Sequence, residues 1–161
     1  MAQLINTALG RLDILKNYNN IAMVGLSSNP YRPSHFAAIY LLSEGYNVIP
    51  INPKETEILG RKCYPSITAA AQALGPDYSE VVDVFRNSKD VPPVADEAIA
   101  IGARVLWLQL GVINEAAALK AINAGLDVVM DRCMKIEHAR FFGGLNLIGL
   151  NTGVLSAKRD M

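Results

Sequence analysis

The sequence is short of cysteine, of net charge and of long apolar runs, and each shortage excludes a class of protein. Its two cysteines, Cys63 and Cys133, lie too far apart for a local metal knuckle and are too few for a disulfide framework. Fifteen Lys and Arg residues balance fifteen Asp and Glu residues, so the basic excess of a nucleic acid binder is missing. Polar residues, glycine and proline interrupt the apolar stretches too often for a membrane span. We therefore expect no metal site and no nucleic acid or membrane partner.

The remaining composition is that of a globular domain. Hydrophobic residues make up 51% of the 161 residues and charged residues 19%, which is too apolar for intrinsic disorder. A chain of this length forms one domain that buries about two-thirds of its unfolded surface. Residues 1–18 show no apolar export segment followed by a small-residue cleavage site, so we expect a cytoplasmic protein with reduced cysteines.

Short apolar runs rich in β-branched residues alternate with segments of helical period. The predicted strands are 21–24, 46–51, 81–85, 105–108 and 126–130, and the predicted helices are 34–44, 66–74, 88 or 90 to 102, 114–125 and 132–142. Strands that are apolar at consecutive positions are covered on both faces, and helical crossovers make neighbouring strands parallel. The sequence therefore predicts an α/β fold, a doubly wound parallel five-stranded sheet in a three-layer α/β/α sandwich and a single domain.

Two segments lie outside this alternation. Residues 1–18 are expected to form an N-terminal helical extension whose apolar face holds Leu4, Leu9, Leu12 and Leu15. Residues 19–142 form the main domain, and the Gly-rich residues 143–161 form a C-terminal tail.

The loop after the first strand is the first candidate site, because an open parallel sheet binds ligands beyond the carboxyl ends of its strands. This loop, residues 25–34, leads into a helix whose N-terminus attracts anions. Gly25 permits a tight turn, and Ser27 and Ser28 can donate hydrogen bonds to phosphate oxygens. Arg32, which precedes Pro33, can contact a phosphate with two N–H groups. The loop predicts a phosphate site, and the alternative is an ordinary loop with a surface arginine.

The same loop lacks the G-x-G-x-x-G glycines that let a dinucleotide pyrophosphate approach, which argues against a dehydrogenase. The second loop, Asn52, Pro53 and Lys54, lies where a nicotinamide-binding fold keeps an acid for the ribose 2′-hydroxyl. A lysine there favours a ribose that carries a phosphate, as in NADP and in coenzyme A. The alternative is a solvated lysine in a turn.

The third and fourth loops offer contacts for the less charged parts of a ligand. Phe85 and Arg86 follow the third strand, where an aromatic ring can pack beside adenine or a pantetheine arm. Gly111 lies in an apolar loop that leads to Asn114, the predicted cap of the next helix. The alternatives are a core position for Phe85 and plain turn chemistry around Gly111.

The last loop and helix carry reactive side chains, for which a structural interpretation is favoured over a catalytic one. Cys133 lies near Arg132 and a helix start, where its pKa can be lowered, and Glu137 and His138 are residue types that act as acid or base. Helical spacing also predicts two structural ion pairs, Asp131 with Lys135 and Glu137 with Arg140. We therefore assign no catalytic residue.

Seven segments together carry a family resemblance. They are Val-Gly-Leu-Ser at 24–27, Arg-Pro-Ser at 32–34, Val-Ile-Pro-Ile-Asn-Pro-Lys at 48–54, Gly-Arg-Lys-Cys-Tyr-Pro-Ser at 60–66, Val-Asp-Val-Phe-Arg at 82–86, Trp-Leu-Gln-Leu-Gly at 107–111 and Met-Asp-Arg-Cys-Met-Lys at 130–135. In this order the chain resembles the small stand-alone CoA-binding proteins over residues 15–142. Those proteins are similar to the nucleotide-binding N-terminal domain of the succinyl-CoA synthetase α subunit, which has a Rossmann-like sheet.

The resemblance implies that coenzyme A binds along the strand ends. It places Gly25, Ser27 and Arg32 near the phosphates, Lys54 near the adenosine phosphates, and Phe85, Arg86 and Gly111 along the rest of the ligand. The synthetases ligate through a phosphorylated histidine in a second domain and through a partner subunit, which this sequence is too short to include. Ligase activity is therefore not expected.

The sequence thus predicts a protein that binds coenzyme A or acyl-CoA as a non-catalytic carrier, sensor or subunit. One alternative is an NADP-dependent oxidoreductase, against which the missing glycines argue. Another is a protein-interaction subunit that keeps the fold, with Phe141, Phe142 and the apolar stretch 145–150 as its contact and a homodimer as one form of it.

Overall fold

A computed structural model describes residues 2–142 of the chain. The helices are α1 (Ala8–Asn17), α2 (Pro33–Ser43), α3 (Ile67–Leu74), α4 (Val91–Ala100), α5 (Glu115–Asn123) and α6 (Met134–Phe142), with a 3₁₀ turn at Ser88–Asp90. The strands are β1 (Asn20–Val24), β2 (Asn47–Ile51), β3 (Glu57–Ile58), β4 (Arg61–Lys62), β5 (Val81–Val84), β6 (Val105–Leu108) and β7 (Asp127–Val129). No helix among these residues is long and apolar enough to cross a membrane. The predicted tail, 143–161, lies outside the described residues.

The five longer strands form one parallel sheet in the order β2-β1-β5-β6-β7, which confirms the predicted architecture. Each face of this sheet carries its own apolar core. Residues of α3, α4 and α5 pack on one face, and residues of α1, α2 and α6 pack on the other. Because both faces are covered, the strands are apolar at successive positions, and this is the pattern visible in the sequence.

The strand order reverses between β1 and β5. The chain passes from β1 to β2 on one side and then returns to place β5 on the other side of β1. The connections after β1 and after β5 therefore leave the sheet on different faces and open a crevice at their carboxyl ends. The fold thus places the loops beginning at Gly25 and Phe85 beside each other.

The N-terminal extension differs from the prediction. Residues before Thr7 are extended along the edge of β7, where the Ile5 N–H donates to the Val128 carbonyl over 2.7 Å. The helix begins only after Thr7, whose hydroxyl accepts the Gly10 N–H. Leu4 and Leu9 are 41% and 73% exposed, so the predicted apolar face is wrong at these two positions, whereas Leu15 is buried in the core. The leucine spacing was misleading because hydrogen bonds to a distant strand edge fix the first residues.

A small antiparallel hairpin, β3 and β4, was not predicted because two-residue strands leave no detectable period. The chain after it follows the outer edge of β2. The Tyr64 N–H donates to the Pro50 carbonyl over 3.0 Å, and the Arg61 guanidinium donates to the Val48 carbonyl over 2.7 Å. Both edges of the main sheet are therefore covered by the chain itself.

The last helix begins at Met134, two residues later than predicted. Asp131 has a positive φ of 62°, which interrupts helical geometry before it. Its carboxylate accepts the Gly111 N–H over 2.7 Å, and the Lys135 ammonium lies 5.9 Å from the centre of the Phe36 ring. The predicted pair of Asp131 with Lys135 is therefore wrong.

A buried ionic cluster joins α1 to α6. The Glu137 carboxylate accepts the Arg11 Nε–H through Oε1 and the Arg140 guanidinium through Oε2, the latter over 2.7 Å. All three side chains are at most 4% exposed. The predicted pair of Glu137 with Arg140 is confirmed, and the addition of Arg11 explains why an arginine lies on the buried face of α1. Glu137 thus has a structural position.

We expect Glu137→Ala to lower the free energy of unfolding by about 3–5 kcal/mol, because it removes the carboxylate shared by two buried guanidinium groups. Urea denaturation measures this loss. The control is Asp96→Ala, which breaks the exposed pair of Asp96 with Lys120 and should cost less than about 1 kcal/mol. Equal losses in the two variants would contradict the importance of the cluster.

Candidate functional site

A cavity of about 680 Å³ opens at the carboxyl ends of β1, β5 and β6. This volume lies within the range of small-molecule sites. Six of the predicted residues line it: Gly25, Ser27, Arg32, Pro33, Phe85 and Arg86. Eight further residues line it that the sequence did not single out as binding residues: Ser34, Asn87, Asp90, Gln109, Leu110, Val112, Cys133 and Ile136. The cavity therefore lies where the strand order reverses.

Gly25 lies at the closest approach of the first and third loops. Its φ is +86°, and a Cβ atom built on it would lie 2.1 Å from the Phe85 carbonyl oxygen. The Phe85 N–H in turn donates to the Val24 carbonyl over 2.8 Å. Because backbone occupies the place of a side chain, only glycine fits at this position.

Hydrogen bonds hold the first loop against the start of α2. The Ser27 N–H donates to the Ser34 hydroxyl over 3.0 Å, and His35 Nδ1 donates to the Ser27 carbonyl over 2.8 Å. No side chain among the described residues caps α2, so the positive end of its dipole borders the cavity beside Pro33. His35 thus holds the first loop against the first turn of α2.

The cavity wall combines positive charge with apolar surface. Arg32 and Arg86 contribute two positive charges, and Asp90 contributes one negative charge. Phe85, Leu110, Val112 and Ile136 supply apolar surface on the same wall. This arrangement fits an anionic ligand with an extended, less polar portion.

The other predicted residues of the first two loops do not line the cavity. The Ser28 hydroxyl donates to Glu55 over 2.6 Å. The Asn52 amide donates to the Leu26 carbonyl over 2.9 Å and accepts the Lys54 N–H over 2.9 Å. Pro53 and Lys54 are exposed. These hydrogen bonds hold the second loop against the first. Lys54 therefore lies at the same carboxyl end of the sheet as the cavity.

Gly111 and Asn114 likewise lie beside the cavity without lining it. Asn114 caps α5, as predicted, by accepting the Ala117 N–H over 3.0 Å. Its amide also donates to the Ser88 carbonyl over 2.9 Å, which joins the third loop to the fourth. Asn114 therefore supports the loops of the cavity from behind.

A buried acid lies beneath the cavity and was not identified from the sequence. Asp83 is fully buried in β5, and the Gln109 amide donates to its Oδ1. Burial raises the pKa of Asp83 to about 7, against the lowering effect of that hydrogen bond. The only available signal was one acid inside the apolar run 81–85.

Burial shifts the pKa of both the thiol and the imidazole near the last helix. Burial raises the pKa of the Cys133 thiol, which is opposite to the lowering that a catalytic interpretation would require. Burial also lowers the pKa of His138, whose Nδ1 lies 2.9 Å from the Tyr40 hydroxyl. Among residues 2–142, no group of three or more His, Cys, Asp or Glu side chains could hold a metal ion.

Comparisons with known proteins agree with this geometry. A family model described as a CoA binding domain matches residues 19–139. The uncharacterized protein YneT of Bacillus subtilis is 39% identical over 127 residues, which cover 79% of this chain and 90% of YneT.

Solved structures also share the fold. A hypothetical protein from Pyrococcus horikoshii OT3 has a TM-score of 0.79 at 43% identity, with 86% of this chain and 94% of that chain covered. A dinucleotide-forming acetyl-coenzyme A synthetase from Ca. Korarchaeum cryptofilum has a TM-score of 0.61 at 27% identity. That match covers 74% of this chain and 28% of the synthetase. The chain thus corresponds to about a quarter of that enzyme.

We expect Asp83→Asn to remove a pH-dependent loss of stability. The raised pKa means that the folded protein keeps a proton which the unfolded chain releases above about pH 4. The free energy of unfolding of the wild type should therefore fall relative to the variant between about pH 4 and pH 7, by up to about 1.4 kcal/mol per pH unit. Urea denaturation across this range measures the difference, with Asp96→Asn as the surface control. Parallel curves for wild type and Asp83→Asn would contradict the shifted pKa.

Proposed function

Because the chain belongs to the CoA binding domain family, we propose that it binds coenzyme A or acyl-CoA in the cavity beside Gly25 and Phe85. The observation that carries the proposal is this cavity, which combines two arginines, a helix N-terminus and an apolar wall where the strand order reverses. The protein acts as a non-catalytic carrier, sensor or subunit in acyl-CoA metabolism.

The anionic part of the ligand lies against the first loop in this proposal. Arg32 contacts phosphate oxygens, with the N-terminus of α2 and the Ser27 hydroxyl beside it. Lys54, on the loop joined to the first through Asn52, contacts the phosphate on the ribose. Arg86 adds a second positive charge from the loop after β5. Positive charge is thereby spread along a ligand with several phosphates, from Arg32, Lys54, Arg86 and the N-terminus of α2.

The pantetheine portion lies along the apolar wall. Phe85, Leu110, Val112 and Ile136 offer surface of the kind that a flexible, mostly neutral chain contacts. Leu110 is 64% exposed, so part of this surface reaches the cavity mouth. Apolar area that the ligand covers there contributes to affinity.

Two other functions stay open as alternatives. An NADP-dependent oxidoreductase is favoured by Lys54, since NADP also carries a phosphate on its ribose, and disfavoured by the missing glycines of the first loop. A protein-interaction subunit that keeps the fold is the other. Its proposed contact begins at Phe141 and Phe142 and continues into residues outside the described part of the chain.

A thermal-shift screen separates these classes, because a ligand that binds only the folded state raises the melting temperature. The ligands are CoA, acetyl-CoA, succinyl-CoA, dephospho-CoA, NAD and NADP. We expect shifts with CoA and its esters and none with NADP. A shift with NADP alone would overturn the proposal in favour of the oxidoreductase, and no shift at all would favour the interaction subunit.

Arg32→Ala should weaken the binding of CoA by roughly 1–3 kcal/mol, because a charged hydrogen-bonding group is lost from the phosphate site. Calorimetry measures the affinity, which should also fall as salt concentration rises. Arg104→Ala is the matched control. It removes the same charge from an exposed arginine next to β6 at the amino end of the sheet, so CoA affinity should stay within error.

The same titrations test Lys54. If Lys54 contacts the ribose phosphate, wild type should bind dephospho-CoA more weakly than CoA, and Lys54→Ala should reduce that difference. Equal affinities of wild type for the two ligands would remove this role. Unchanged CoA affinity in both Arg32→Ala and Lys54→Ala would reject the placement of the phosphates along these loops.

A further inference from the structure

Asp83 lies in the core directly below the proposed ligand site. It pairs in register with Met23 of β1 and Trp107 of β6, on the sheet face that packs against α1, α2 and α6. Its exposed fraction is 0%. An acid in this position costs folding free energy unless all its oxygens are satisfied.

Hydrogen bonds connect this acid to the cavity wall. Gln109 lines the cavity and donates through Nε2 to Asp83 Oδ1, while its Oε1 accepts the Met134 N–H over 3.4 Å. Asp83 Oδ2 has no hydrogen-bond partner among the described residues. One carboxyl oxygen is therefore engaged with the floor of the cavity, and the other is unsatisfied in the core.

The titratable groups around Asp83 leave it without a compensating positive charge. From the start of α6, the Cys133 thiol is close enough for the Asp83 charge to raise its pKa. Met23 and Trp107, its neighbours on the adjacent strands, do not ionise. On the three packed helices, Arg11, Glu137 and Arg140 are engaged with one another, His138 with Tyr40, and His35 with the Ser27 carbonyl. The Lys135 ammonium lies over the Phe36 ring, and Asp13 and Lys16 are exposed. Burial and the Gln109 hydrogen bond are the influences that act on the carboxyl.

We propose that binding of a polyanionic ligand in the cavity is coupled to the uptake of one proton by Asp83 Oδ2. The inference rests on the proposed function, with CoA as the polyanion. An O–H bond forms on Asp83, and the proton comes from a buffer acid in solvent, which is left as its conjugate base.

The coupling follows from the charges that meet in the cavity. In the free protein the cavity that Gln109 lines is open to solvent, which limits the cost of ionising Asp83 beneath it. A bound polyanion displaces solvent from that cavity and brings the negative charges of its phosphates to the wall that holds Arg32 and Arg86. Both changes disfavour a carboxylate beneath the floor, so the neutral acid predominates in the complex. The site therefore holds its ligand more tightly in mildly acidic than in mildly basic solution.

The size of the effect follows from linkage. Asp83 begins near a pKa of about 7, so it is poised to change its protonation in neutral solution. If binding raises that pKa by about one unit, affinity at about pH 6 is roughly fivefold higher than at about pH 8. Near pH 7.5 the complex then takes up about half a proton for each ligand bound.

Calorimetry of the full chain tests the proposal directly. CoA is titrated near pH 7.5 in two buffers with different ionisation enthalpies, because the difference in binding heat counts the protons taken up. Dephospho-CoA is titrated in parallel, since it lacks the phosphomonoester that itself ionises near pH 6. Asp83→Asn keeps the size of the side chain and removes its titration, and Asp96→Asn is the matched surface control.

Proton uptake by wild type and Asp96→Asn with both ligands, and its loss in Asp83→Asn, is the expected result. CoA binding without proton uptake by wild type would overturn the inference and leave the proposed function intact. Uptake that persists in Asp83→Asn would assign the proton to another group and equally overturn it. Absence of CoA binding by wild type in both buffers would remove the proposed function, and this inference with it. If Asp83→Asn does not fold, the wild-type heats still decide whether a proton is taken up.

Discussion

The pairing of β1 with β5 at the centre of the sheet is the constraint on which the cavity depends. Because β2 lies on the other side of β1, the loops that follow β1 and β5 run to different faces of the sheet and leave a space between them. Their backbones nevertheless start in contact, with the Phe85 carbonyl in the place of a side chain at residue 25. The position of the loop that carries Arg32 is therefore set by the neighbouring strand as much as by its own sequence. Everything that lines the cavity is arranged around this contact.

The fold was predictable where local pattern and global structure agree. The runs at β1, β5 and β6 are buried on both faces, so their apolar continuity reports directly on a covered parallel sheet. The extension before Thr7 was mispredicted because its conformation comes from hydrogen bonds to β7, more than a hundred residues away along the chain. The hairpin of β3 and β4 was missed because its strands are too short to show alternation. Both errors concern segments that lie along an outer strand of the main sheet.

The site was predictable to the extent that it is made of loops at strand ends. Gly25, Arg32 and Arg86 follow from the rule that parallel sheets bind ligands there, and the cavity includes all three. The hydrogen bond between Gln109 and Asp83 could not be predicted from the sequence, because it joins two neighbouring strands and no local spacing indicates it. Ser28 and Asn52 have residue types suited to binding, yet their side chains hold neighbouring loops. The residue types indicated where polar side chains gather. Only the structure shows which of these side chains already form hydrogen bonds to neighbouring loops.

The covered sheet edges also limit how this molecule can associate. Exposed strand edges are the usual route by which β-sheets join edge to edge, in ordered dimers and in aggregates alike. Here residues 3–5 lie along β7, and the segment around Tyr64 lies along β2, so neither outer strand presents a free row of donors and acceptors in the described chain. Within residues 2–142, the surfaces left for a second copy are those of helices and loops. Such an interface depends mainly on side chains, so single substitutions can alter it in a way that they cannot alter a continuous sheet.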